Sequence, residues 1–99
     1  MITETIFIGR DNSFSLQLIR GNEAINLASI NTFTLYLNTG LVFDDPAMFI
    51  SKPDGVVEIV IGTQLTEDDL GNTKAHLVTT DPINTAGVRW PTFILKVRE

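Results

Sequence analysis

The chain contains no cysteine, and among its 99 residues there is only one histidine, one tryptophan and one tyrosine. Without cysteine, neither a disulfide nor a thiolate-bound zinc holds the fold, so stability has to come from packing. The lone histidine, His76, has no cysteine nucleophile, no serine in an elbow motif and no second imidazole to work with, which leaves nucleophilic catalysis without its usual parts. Cations are also scarce: seven Lys and Arg stand against twelve Asp and Glu, a net charge of −5. No Lys/Arg cluster interrupts that pattern along the chain, so nucleic acid is not an expected partner. No stretch reaches the roughly eighteen consecutive apolar residues of a membrane span. Met1-Ile2-Thr3-Glu4 lacks the basic start and apolar run of a signal peptide. A soluble chain made in a cytoplasm, with no membrane partner, is the expectation. Glycine-rich phosphate loops and glycosylation sequons are missing too, and no cofactor is expected.

What the chain does have is apolar content, 43% of residues including six Phe, arranged mainly with a period of two. That spacing sends alternate side chains to opposite faces of a strand. Across residues 13–20, Phe14, Leu16 and Leu18 alternate with Ser13, Ser15 and Gln17. Across 31–38, Phe33, Leu35 and Leu37 face away from Thr32, Thr34 and Tyr36. Val57, Ile59 and Ile61 repeat the device against Val56, Glu58 and Val60, and across 91–98 Phe93, Leu95 and Val97 oppose Thr92, Ile94, Lys96 and Arg98. Weaker segments lie at 5–9, 24–27, 48–51 and 74–79. The expected fold is all-β: a single-domain antiparallel β-sandwich of seven or eight strands over residues 1–99. Turn chemistry separates the strands at Gly21-Asn22, Pro53-Asp54-Gly55, Asp81-Pro82 and Ala86-Gly87. Thr66-Glu67-Asp68-Asp69-Leu70-Gly71, with a Thr cap, an acidic first turn and a closing Gly, predicts one short helical turn. Residues 40–47 show no regular pattern and are expected to form a long loop or crossover.

Few residues offer chemistry. His76 falls opposite Ala75 and Leu77 in phase and is expected to face solvent or an edge. The acidic clusters at Asp44-Asp45 and Glu67-Asp68-Asp69 lack the alternating spacing and central Gly of a calcium loop. The second suits a helix N-terminus and the first a solvated loop, so no metal site is expected. Aromatics remain. Tyr36 lies on the polar face of its strand, Trp90 precedes Pro91 at a strand start, and Phe43, Met48 and Phe49 flank the irregular loop. These five are the candidate interface residues, with core closure by Trp90 and a loop Phe as the alternative reading.

The order of segments adds a resemblance. Ile6-Phe7-Ile8-Gly9-Arg10-Asp11-Asn12-Ser13-Phe14 is followed by Asn22-Glu23-Ala24-Ile25-Asn26-Leu27-Ala28, then by Phe33-Thr34-Leu35-Tyr36-Leu37. Next come Asp54-Gly55-Val56-Val57-Glu58-Ile59 and the closing Phe93-Ile94-Leu95-Lys96-Val97. This order resembles the N-terminal Ig-like domain of phage baseplate upper proteins and related small phage tail or neck structural proteins. Where that group has Asp-Leu-Thr, this chain has Asn26-Leu27-Ala28. The resemblance implies an Ig-like sandwich with a non-enzymatic role in a virion, assembled after synthesis in the host cytoplasm. Its partners are then neighbouring virion proteins or further copies in a homo-oligomer. Because the chain stops at Glu99, right after the last strand, a free-standing accessory protein or an excised domain is expected. The other reading is a carbohydrate-binding or adhesin-like module that stacks a glycan on Tyr36 and Trp90.

Overall fold

The computed structural model describes residues 2–99. Among them there are eleven strands and no helix longer than a three-residue 3-10 turn, so none is long and apolar enough to cross a membrane. The strands are β1 (Thr3–Phe7), β2 (Phe14–Gln17), β3 (Ile19–Arg20), β4 (Glu23–Ala24), β5 (Thr32–Leu37), β6 (Val42–Phe43), β7 (Phe49–Ser51), β8 (Val56–Ile59), β9 (Gly71–Thr80), β10 (Val88–Arg89) and β11 (Phe93–Arg98). A larger sheet runs β1-β11-β9-β5-β6, with β10 also on β9; a smaller one runs β2-β8-β7, and β3 and β4 pair separately.

The period-two segments bury the residues their phase requires. Phe14 and Leu18, Leu35 and Leu37, Val57, Ile59 and Ile61, and Phe93, Leu95 and Val97 all lie in one core. Aromatic pairs join the sheets across it. The Phe14 and Phe93 rings sit 5.7 Å apart, and those of Phe33 and Phe49 stack at 5.5 Å. Such pairs add roughly 1 kcal/mol each beyond the apolar area they bury.

Several expectations need correction. The pairing is not wholly antiparallel: β1 lies parallel to β11, with Thr3 opposite Ile94 and Phe7 opposite Arg98. Alternation encodes which face a residue takes but not the direction of the neighbouring strand. The strand count exceeds seven or eight because the two-residue pieces β3, β6 and β10 carry too few residues to show a period, and the expected 24–27 strand is only Glu23–Ala24, with Leu27 in a 3-10 turn. Residues 13–20 do not form one strand. Beyond Gln17, Leu18 N–H donates to Gly55 O (2.8 Å) and Leu18 O accepts from Ile25 N–H (3.0 Å), which transfers the chain from β8 to β4. Residues 40–47 are no open loop either. Leu37 N–H donates to Leu41 O (2.9 Å), Phe43 pairs with Leu35, and Asp45 caps a 3-10 turn over Pro46–Met48 by accepting from Ala47 N–H at 2.9 Å.

Turn chemistry follows the sequence more closely. Gly21 and Asn22, both at positive φ (60° and 67°), close the β3–β4 hairpin. The 66–71 segment forms a 3-10 turn over Glu67–Asp69, and Thr66 N–H donates to Asp69 Oδ2 at 2.8 Å. Gly71 belongs to β9 instead of ending that turn.

A bulge links β10 to β11. Arg89 is opposite Val78 and Phe93 opposite Ala75, so four steps on this side span three on β9. Pro91 has no N–H to continue the ladder. Trp90 N–H still bonds Leu77 O (2.9 Å), and its indole N–H donates to the buried Thr79 hydroxyl at 2.9 Å.

The exposed end of β1 is capped by a side chain. Asn12 Oδ1 accepts from Phe7 N–H (2.9 Å) while its Nδ2 donates to Phe7 O (2.7 Å), replacing a strand neighbour at that position. This clamp needs Gly62, because a Cβ there would run into Asn12 Nδ2 and Arg10 O. Gly62→Ala is expected to destabilise by about 2 kcal/mol through overpacking, and Asn12→Ala by about 1 kcal/mol through lost hydrogen bonds. Urea unfolding of the two variants and their double mutant checks this, and the double-mutant loss should be less than additive because both act on one clamp.

Candidate functional site

The alternation that buries Ala75, Leu77 and Thr79 turns Asn72, Lys74, His76, Val78 and Thr80 of β9 to the outer face of the larger sheet. By the same logic β11 presents Ile94, Lys96 and Arg98 there, β5 presents Thr32, Thr34 and Tyr36, and β1 presents Thr3, Thr5 and Phe7. Arg89 of β10 joins them opposite Val78. The register sets Lys96 opposite Asn72, Ile94 opposite Lys74 and Arg98 opposite Phe7, so Lys74 and Lys96, remote in sequence, become diagonal neighbours.

Four of the seven Lys and Arg residues thus share one sheet face, and none of the outward positions within its strands holds a carboxylate. Glu4, the one acid in β1, shares the inward phase of Ile6, and partial burial raises its pKa. The rest of the molecule carries Arg10, Arg20 and Lys52 against twelve acids, a balance of −9. Among the described residues the single ion pair is Lys52–Glu58 at 4.0 Å, well away from this face. The face's cations use neutral partners: Arg98 Nη2 donates to Asn72 Oδ1 (2.8 Å) and Arg89 Nη2 to Thr92 Oγ1 (3.4 Å). The linear order holds no cationic cluster, and strand pairing gathers on one face what that order disperses.

At the centre of the face the Tyr36 and His76 rings stack at 5.1 Å and 14°, with Val42 on the other side of Tyr36. Beside them a shallow depression is bordered by Asn38, Lys74, Arg89 and Thr92. Partial burial, and then the charge of Arg89, lower the His76 pKa below the usual histidine value. Among the described residues no group of three or more His, Asp or Glu is placed to hold a metal ion.

Of the five candidate interface residues, only Tyr36 reaches this surface, at 37% exposure. Phe43, Phe49 and Trp90 are buried, and Met48 packs partly buried against the same core. They close the core, the alternative reading of these aromatics. Trp90 is turned inward by the bulge, so it and Tyr36 lie on opposite sides of the sheet and form no common stacking platform. The Arg20 guanidinium lies 5.7 Å from the Trp90 ring centroid. No protein-family model and no curated protein matches the chain, and the geometry of this face therefore carries the functional argument.

His76 supplies a direct check on the electrostatics of the face. Its folded-state pKa lies below the unfolded value of 6.5, so the unfolded chain takes up the proton first as pH falls. The stability it contributes is complete above pH 6.5 and is lost as pH drops through the window beneath. NMR titration of the imidazole should give a midpoint below 6.5. Arg89→Gln should raise that midpoint part of the way, because desolvation is the larger cause.

Proposed function

We propose that this chain is a non-enzymatic assembly module, an Ig-like β-sandwich that works in a phage or prophage tail, baseplate or neck by docking on protein neighbours. The observation that carries this reading is the outer face of the larger sheet. Neighbouring like charges on a sheet repel and lower stability. On this face Lys74 and Lys96 are diagonal neighbours across the β9–β11 pair, Arg89 and Arg98 extend the row toward its two ends, and none of the four forms an ion pair among the described residues. A partner that brings carboxylates relieves the repulsion, and the stacked Tyr36–His76 pair, partly open to solvent, gives it flat area to cover.

The sandwich part of the reading is supported by the two aromatic bridges between sheets and by the single core they share. The virion setting is supported by the order of segments that resembles small phage tail and neck proteins. Co-expression with the genes flanking its own, followed by affinity capture and mass spectrometry, tests the proposal. Co-elution with structural proteins of a particle is the expected result. Recovery of the chain alone, still monomeric by light scattering at high concentration, would sink it.

A further inference from the structure

We propose that the cationic outer face of the larger sheet is one half of a head-to-tail contact between copies of this chain, and that its other half is the acidic turn Glu67–Asp69. The proposal rests on the assembly reading and adds its partner and its symmetry.

Charge complementarity selects the partner. Apart from this face, a second copy carries three cations against twelve carboxylates, so it offers the required sign over nearly all its remaining surface. The same segregation selects the symmetry. A two-fold contact through this face would set its cations against the same cationic set of the second copy. Like charges juxtaposed across an interface cost several kcal/mol, by rough estimate. The face therefore meets a different surface of the next copy, which makes the contact heterologous and extendable into a ring or a string.

The Glu67–Asp69 turn is the counterpart because it offers the densest acid. Asp69 is occupied in capping Thr66, but Glu67 and Asp68 are exposed and have no ion pair among the described residues. Glu99 borders the same shallow surface as Glu67, and Arg10 is the one cation beside them. The turn is short and fixed by its cap, so its carboxylates lose little freedom on docking.

The test uses sedimentation velocity of the full chain. At about 50 mM salt, average mass should rise with concentration, and at about 500 mM, where screening is short-ranged, it should fall back to that of the monomer. Lys74→Gln/Arg89→Gln and, separately, Glu67→Gln/Asp68→Gln should each weaken association by about tenfold or more. These are surface changes, and circular dichroism with thermal unfolding verifies that each variant folds. Mixing the two variants leaves one intact face and one intact turn, so the mixture should form two-chain species and nothing longer.

Association that ignores salt, or that survives both variants, overturns the contact. Loss with the face variant alone overturns the turn as its counterpart. Salt-sensitive binding of a duplex DNA probe that requires Lys74 and Arg89, without self-association, assigns the face to a polyanion and overturns the proposal. Co-elution with virion proteins in the absence of self-association removes this contact and leaves the assembly reading standing.

Discussion

The ten-residue strand β9 is the constraint on which the rest of the molecule depends. It pairs with β5 along one side and with β11 and β10 along the other, so three of the other five strands in the larger sheet take their register from it. Its pleat admits two arrangements. In the observed one Ala75, Leu77 and Thr79 enter the core; a slip by one residue would bury Lys74 and His76 and expose Leu77. Burying an unpaired Lys costs far more than the few kcal/mol that a small domain has in reserve. The hydrophobic core and the cationic face are thus two sides of one decision, and neither changes without the other.

The bulge opposite His76 shows how a single proline redirects a large side chain. In unbroken alternation with Phe93, Leu95 and Val97, Trp90 falls on the outer face. Two residues, Pro91 and Thr92, sit where β9 supplies only His76, and the extra residue resets the phase. Trp90 then turns inward to Thr79, the one buried polar residue among those described, whose hydroxyl oxygen accepts the indole N–H. An unpaired hydroxyl or indole at that depth would cost about 1–3 kcal/mol. The pair fixes the bulge as firmly as the bulge positions the pair.

This accounts for which features were legible in the sequence. Wherever four or more residues alternate, as in the segments around Leu16, Leu35, Ile59 and Leu95, the buried face could be read directly because burial is a local property of the pleat. Gly21-Asn22 and the Thr66 cap were readable for the same reason, since their chemistry acts within a few residues. Leu41-Val42-Phe43 has no alternation, so its hairpin and the burial of Phe43 emerge only once Leu35 is seen opposite. The parallel partnership of β1 with β11 joins the two ends of the sequence and leaves no local trace. The candidate site suffered most from this limit. Lys96 and Arg98 showed their outward phase, and so did His76 with Lys74, but their convergence depends on registers that no single segment contains.

The charge distribution also bears on the kind of association such a molecule supports. At a distance two copies see net charges of −5 and repel, so random encounters are disfavoured. In salt of about 0.15 M that repulsion is screened beyond about 8 Å, about the diagonal spacing of Lys74 and Lys96 across the β9–β11 pair. Attraction between this face and a carboxylate cluster consequently acts only near contact and only in one orientation. Apolar burial would add affinity without direction. A sheet that turns most of its aromatics inward and exposes segregated charge outside is suited to selecting the orientation of its neighbour, with Phe7 and the Tyr36–His76 pair supplying the modest apolar area that contact would cover.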